Sequence, residues 1–269
     1  MRHPSPPEPA PSGAPSSTRR LRIALGTWVA IEARVHDVAE AAELAAIEAA
    51  YAAIRDIDLR MHPHRDGSEI ARINSTPPDT PIEVQPDTWH LLQLARRLFD
   101  LTEGIFDPCL PTLPGRLGDL EIQPNTPVLT CHAPVEIDLG GIAKGHAIDR
   151  AVEKLQELGC TSGVVNAGGD LRLFGDRAET FFLRRQTHSQ ALVLKNTALA
   201  VSDLDAADRP PEHRGYYTHR RDHDPALPRY AAVIANTATV ADALTKCILL
   251  CSNDAATRIL QEFGARSAL

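Results

Sequence analysis

The sequence has no run approaching the roughly 20 apolar residues that span a bilayer, and its N-terminus lacks the apolar stretch of a signal peptide. Membrane insertion is therefore not expected, and a cytoplasmic location is, taking Met1 as the start. Positive charge is also short: 28 Lys and Arg against 35 Asp and Glu give a formal net charge of −7. Without a broad positive field there is no reason to expect nucleic acid or anionic lipid as partner, and an anionic ligand must be met by local groups. Cysteine is scarce. Cys109, Cys131, Cys160, Cys247 and Cys251 are an odd number without the paired spacing of a zinc site. In a chain too large to need disulfide staples they are expected as reduced, mostly buried thiols. Apolar residues are not lacking: they make up 43% of the 269 positions, enough for a substantial core. With no internal repeat and no boundary between two cores, the expected organisation is a disordered Pro- and Ser-rich leader over residues 1–20 and one domain over 21–269.

The chain opens its apolar pattern at residues 21–35, LRIALGTWVAIEARV, where alternation is broken at Gly26. This suggests a strand bent or bulged where something approaches its backbone. Residues 38–61 form a long amphipathic helix with a stripe through Leu44, Ile47, Tyr51 and Ile54. His62, His64 and Arg65 crowd the loop after it, where the histidines either bind metal or satisfy the helix dipole. Ser68 begins a short helix, and residues 85–103 form another with Asp87 as its cap. Phe106, Asp107 and Pro108 then sit on a Pro- and Gly-rich loop, with Asp107 either functional or an Asx-turn.

The stretch 136–174, EIDLGGIAKGHAIDRAVEKLQELGCTSGVVNAGGDLRLF, reads as strand, glycine turn, helix, strand and second glycine turn. Residues 135–139 are strand-like, and a helix runs from Ile142 to Gly159. A glycine pair before a helix leaves amide donors to cradle an anion, and Lys144 in the first turn adds positive charge, a combination suited to a phosphate or pyrophosphate. The alternative is a plain strand-to-helix turn. It is neither the Walker pattern nor the dinucleotide fingerprint. Gly168 and Gly169 after Asn166 permit close backbone approach to a ligand. Short strands follow at 181–183, 191–194 and 198–201, then a long polar loop over 202–229, a strand at 229–234, and a helix from Thr239 in which Asp242 and Lys246 form an i,i+4 ion pair. A final helix spans 255–263.

Six ordered motifs, LGTW (25–28), SEIARIN (68–74), GIFDP (104–108), DLGGIAKG (138–145), NAGGD (166–170) and ADAL (241–244), resemble those of the ApbE family, the FAD:protein FMN transferases. The resemblance covers nearly everything after the leader. It implies an α+β fold, a single ApbE-like domain of mixed strands and packed helices. It also implies FAD as substrate, Mg²⁺ as cofactor, and transfer of FMN onto a Thr or Ser hydroxyl of an acceptor flavoprotein with release of AMP. By motif, Leu25, Gly26 and Thr27 would lie against the flavin and Ile105, Phe106 and Asp107 would line the pocket. Asp138, Lys144, Asn166 and Gly168 would contact FAD. The carbonyl of Gly141 and the carboxylate of Asp242 would ligate Mg²⁺.

The chain departs from the family pattern in three places. Lys246 stands where a Thr is usual, and an ammonium cannot ligate Mg²⁺. His64 replaces a Tyr, keeping a flat ring for stacking. The loop carrying a candidate catalytic His is represented only by Tyr217, His219 and Asp222; His219, with Asp242, is the candidate catalytic residue. A flavin-binding module without turnover, or hydrolysis of FAD to FMN and AMP, are the alternatives these changes raise.

Overall fold

The N-terminal alternation builds a hairpin instead of one kinked strand. The computed structural model describes residues 18–35, 40–185, 188–204 and 228–269. β1 (Thr18–Ala24) and β2 (Thr27–Arg34) pair antiparallel, with Ala24 opposite Thr27. Leu25 and Gly26 between them have φ of 53° and 68°. Two residues in the left-handed region make the type I′ turn whose twist suits a tight hairpin, so the break expected as a bend or bulge reverses the chain. β1 also starts inside the stretch expected as leader: Thr18 is buried and its hydroxyl donates to Glu43.

α1 (Glu40–Met61) buries Ile47, Tyr51 and Ile54, and the Tyr51 hydroxyl donates to the Val29 carbonyl at 2.9 Å. α2 (Glu69–Ser75) starts at Ser68, whose Oγ accepts from the Ala71 amide at 3.0 Å. After β3 (Pro81–Glu83) comes α3 (Pro86–Leu101), then β4 (Leu120–Ile122), β5 (Val128–Cys131) and α4 (Ala143–Glu157). The chain continues through β6 (Ser162–Ala167), β7 (Asp170–Phe174), β8 (Ala178–Arg185), β9 (His188–Lys195), β10 (Ala198–Asp203) and β11 (Tyr230–Ala235). It closes with α5 (Ala238–Leu250), α6 (Asn253–Glu262) and β12 (Arg266–Ser267).

The main sheet runs β1-β2-β6-β7-β10-β11-β12, and every pairing in it is antiparallel. Its two faces are read off β10: Ala198 and Ala200 join the core under α1, α4 and α5, while Leu199 joins a second cluster beneath the β8–β9 hairpin. That alternation is the period-two signature of a strand buried on both sides. A small sheet of order β3-β5-β4 lies beside α3. The architecture is mixed α and β, as expected. Among the described residues no helix is long and apolar enough to cross a membrane.

Several local expectations change. Residues 135–139 form no strand beyond one bridge from Ile137 to Cys109. Asn74 flanks them on one side, donating to the Ile137 carbonyl at 3.0 Å and accepting from its amide at 2.8 Å, and the Leu110 amide donates to the Glu136 carbonyl at 2.8 Å on the other. Ser202 and Asp203 close β10, where the polar loop was expected to begin, because Ser202 is buried against Thr245 at 2.8 Å. Residues 205–227 lie outside the described residues. Gln85 is the N-cap of α3.

Asp87, expected as that cap, binds between helices. Its oxygens lie 3.0 Å from Arg60 of α1 and 3.2 Å and 3.5 Å from His146 and Arg150 of α4. The His146 hydrogen bond, opposed by burial and helped by the charges of His146, Arg150 and Arg60, holds its carboxyl down to about 2. A carboxyl depressed by folding stabilises fully above its unfolded pKa, and that contribution is lost as pH falls through the folded value. Asp87→Asn is therefore expected to lower the unfolding free energy at neutral pH by on the order of 2 kcal/mol, with the deficit fading between about pH 4 and 2. Urea unfolding across that range checks it, and a deficit that persists at the acid end contradicts it.

Candidate functional site

Two glycine turns meet at one end of the main sheet. Gly168 and Gly169, with φ of 61° and 100°, reverse the chain between β6 and β7, leaving Ala167 opposite Asp170. Because β2 pairs with β6, with Val29 opposite Ala167, this turn lies beside that of Leu25 and Gly26. The Gly168 amide donates to the Trp28 carbonyl at 3.1 Å. A Cβ at Gly168 would stand 2.7 Å from Thr27 Oγ1, so only glycine permits this approach. Leu25, Gly26, Thr27, Asn166 and Gly168 are thus brought together, and the Asn166 side chain accepts from the Gly169 amide at 3.2 Å.

Asp170, the residue that begins β7 after the second turn, is fully buried. Its Oδ1 accepts from the Val201 amide at 2.8 Å. Its Oδ2 lies 2.8 Å from Lys144 Nζ, and that ammonium is its partner. Burial lifts the Asp170 carboxyl above the usual carboxylate range, against the pull of Lys144. Burial also pulls the Lys144 ammonium down, but the carboxylates of Asp170 and Asp242 outweigh it and the ammonium sits above the ordinary lysine value. Lys144 remains a cation at neutral pH.

Behind Lys144, α4 and α5 touch through Gly145, where a Cβ would be 2.3 Å from the Ala238 carbonyl oxygen. The Gly145 amide donates to Asp242 Oδ2 at 3.0 Å. Asp242 Oδ1 takes a hydrogen bond from the Lys246 ammonium, which also donates to the Asp242 carbonyl at 3.0 Å. Both side chains are buried, at 1% and 7% exposure, so this is not the solvated surface pair that the spacing alone suggests. Asp149 fixes the start of α5: it accepts from the Ala238 and Thr239 amides at 2.9 and 2.8 Å and binds Arg172 at 2.8 Å.

The turn before α4 is less open than expected. The Gly140 amide is taken by Asp138 Oδ1 at 2.7 Å, and those of Ile142 and Ala143 by the Leu139 carbonyl at 2.9 and 2.8 Å. At this end of α4 the group left to meet an anion is the partly exposed Lys144 side chain, not a row of bare amides. The Asp138 amide donates to the Pro108 carbonyl at 2.9 Å, tying in the loop of Ile105, Phe106 and Asp107. Phe106 is buried. The Asp107 carboxylate accepts from the Cys109 and Leu117 amides at 3.0 and 3.3 Å and from Arg116 at 2.9 Å, the Asx-turn option. His64 is exposed, its ring edge-on to His62 with centroids 6.4 Å apart, and is not joined to this network. His219 lies outside the described residues.

Asn74, Asp149 and Asp170 were missed as positioning residues. Each carried a signal: Asn74 and Asp170 end the SEIARIN and NAGGD motifs, and Asp149 is a carboxylate beside Ile148 on the apolar stripe of α4. A shallow cleft lined by Thr197, Asn236, Gly264 and Arg266 opens where β10 begins, at the opposite end from the site.

Mg²⁺ on Gly141 and Asp242 does not fit these residues. Lys246 holds the oxygen the ion needs, and a Cβ at Gly141 would lie 3.7 Å from Lys246 Cε, so the lysine occupies the space between them. A dication and an ammonium repel there. Among the described residues no three or more His, Cys, Asp and Glu converge as a metal site.

The sequence model of the ApbE family matches residues 25–118 and 115–269. The FAD:protein FMN transferase of Haemophilus influenzae is 28% identical over 48% of this chain and 46% of that protein. The enzyme of the same name from Treponema pallidum is 24% identical over 93% of this chain and 83% of its own length. The chain thus spans about half the length of the first of these relatives. Among solved structures, the ApbE protein of Thermotoga maritima superposes with TM-score 0.73 at 23% identity, covering 93% of this chain and 91% of that one. The apo flavinyl transferase ApbE of Pseudomonas stutzeri gives 0.75 at 15%, covering 96% and 93%. At these identities the superpositions speak for the fold.

Gly145→Ala is expected to separate α4 from α5 and to cost about 3 kcal/mol or more, since the clash is with backbone that cannot rotate away. Chemical denaturation measures it; a variant as stable as the parent contradicts the close approach.

Proposed function

The chain belongs to the ApbE family, and from that we propose that it is an FAD:protein FMN transferase acting on an acceptor flavoprotein. The observation that carries the reading is the meeting of the two glycine turns with Lys144 and Asp170 at one end of the sheet. In the reaction proposed, the hydroxyl oxygen of an acceptor Thr or Ser attacks the phosphorus on the FMN side of the pyrophosphate. A new P–O bond forms as the bond from that phosphorus to the bridging oxygen breaks. The bridging oxygen leaves with its electron pair as part of AMP, and the hydroxyl proton passes to a base, a role assigned to His219. Lys144 offsets the negative charge that grows on the phosphoryl oxygens, the kind of fixed electrostatic stabilisation that dominates such transfers.

The remaining assignments follow the motifs. Leu25, Gly26 and Thr27 with His64 take the flavin, Ile105 and Phe106 line the pocket with Asp107 shaping its loop, and Asp138, Asn166 and Gly168 approach the pyrophosphate side. Asp242, engaged at both oxygens, serves by holding positive charge in place more than as a base. The proposed compartment is the cytoplasm, supported by five free cysteines, four of them buried. Mg²⁺ dependence, part of the family expectation, is left out of the proposed mechanism because Lys246 fills the site.

Incubation of the purified protein with FAD and a flavoprotein acceptor is expected to yield covalently fluorescent acceptor and an equal amount of AMP. Neither product appearing overturns the proposal, and free FMN formed without acceptor marks hydrolysis instead. Lys144→Ala is expected to slow transfer about a hundredfold; an unchanged rate removes Lys144 from the mechanism.

A further inference from the structure

We infer that the Lys246 ammonium is a built-in cation standing in for a divalent ion, so that flavin transfer by this chain needs no Mg²⁺. The inference rests on the proposed transfer for its chemistry, but the occupancy it asserts stands on geometry. An i,i+4 Asp–Lys pair on a solvated helix contributes a few tenths of a kcal/mol and is ordinary. This one is buried, and burying two charges carries a desolvation cost that their attraction alone does not reliably repay.

The fold does not need the pair to seat α5. Asp149 already fixes the helix start, and Ala241, Leu244 and Cys247 bury its apolar side. The pair sits where charge is of use: Lys144 and Asp170 are its electrostatic neighbours, and the Lys246 stem runs alongside Gly141 at the mouth of the turn before α4. Among the described residues, Lys144 is paired with Asp170 and Lys246 with Asp242, so each cation has a carboxyl partner.

The same placement excludes the ion. A charged lysine offers donors and no lone pair, so it cannot join a coordination shell. Mg²⁺ demands near-octahedral oxygen ligands at about 2.0–2.1 Å, and the Asp242 oxygen it would use is already taken. A single positive charge is weaker than a dication at neutralising a pyrophosphate, but it is permanent and independent of metal supply.

The test has two arms. In the first, Mn²⁺ is titrated into the full-length protein without FAD and followed by electron paramagnetic resonance. Wild type is expected to bind no ion through Asp242. Lys246→Thr, which vacates the space, is expected to gain one site that a further Asp242→Asn removes. In the second, FAD binding by fluorescence and AMP release are compared in EDTA and in MgCl2. Wild type is expected to change by less than about twofold, and Lys246→Thr to require Mg²⁺ for at least about tenfold of its activity. A wild-type Mn²⁺ site abolished by Asp242→Asn, a tenfold Mg²⁺ stimulation of wild type, or a folded Lys246→Thr that gains no ion each overturns the inference. If Lys246→Thr does not fold, the wild-type arms decide alone. Failure to bind or turn over FAD refutes the proposed function, while the Mn²⁺ arm still judges the inference.

Discussion

The close approach of α4 to α5 at Gly145 brings Lys144, Asp149, Asp242 and Lys246 together. With the Ala238 carbonyl 2.3 Å from where a Cβ would be, glycine is required by contact, not by backbone angle. At that separation Asp242 reaches across to the Gly145 amide, and Asp149 reaches back to the first amides of α5. Two carboxylates, one from each helix, thus satisfy donors of the other helix that would be costly to bury unpaired. The same crossing brings Lys144, one residue before Gly145, up to the Asp242–Lys246 pair. Packing comes first, and the electrostatics of the site are its consequence.

Burial then sets how those charges behave. Polar networks in low-dielectric surroundings are stable when each member is satisfied and expensive when one is not. Asp149 and Asp242 have amide or cationic partners at both oxygens, and Asp170 relies on the Lys144 ammonium for its Oδ2. Asp170 tolerates its burial because Lys144 stays cationic, and Lys144 stays cationic because carboxylates surround it. The pair is interdependent, and it lies next to the turn of Gly168 and Gly169.

Much of this was legible in the sequence. Helix positions, the turn of Gly168 and Gly169, the Ser68 cap and the family followed from periodicity, cap residues and ordered motifs. What was not legible depends on contacts between distant residues. Alternation around Gly26 is the same for a bulged strand and a hairpin; the left-handed φ of Leu25, a residue that rarely adopts it, decides between them. Asp87 has the residue type of a cap, but Arg60, His146 and Arg150 converge on it from two other helices. Residues 135–139 have the composition of a strand, but their pairing stops at one bridge to Cys109 because the Asn74 side chain takes both backbone groups of Ile137. Spacing identifies Asp242 and Lys246 as a pair, but whether it faces water is settled by α4.

Gly26, Gly168 and Gly169 show how one residue type serves different ends within a single site. Gly26 and Gly169 have nothing within 4 Å of a would-be Cβ, so they are glycine for their left-handed φ, and the space before them is open. Gly168 is glycine for two reasons, its φ and the Thr27 side chain pressed against it. Leu25 carries no such freedom, and its left-handed backbone costs on the order of 1 kcal/mol, offset by packing of its side chain on the core. The first turn is thus anchored through Leu25 and held against the second through Thr27 and Gly168. Neither turn presents a bulky side chain through its glycines. Behind the backbone of the two turns lies the Lys144–Asp170 pair, so the open glycine backbone and the buried charges occupy successive layers of one end of the sheet.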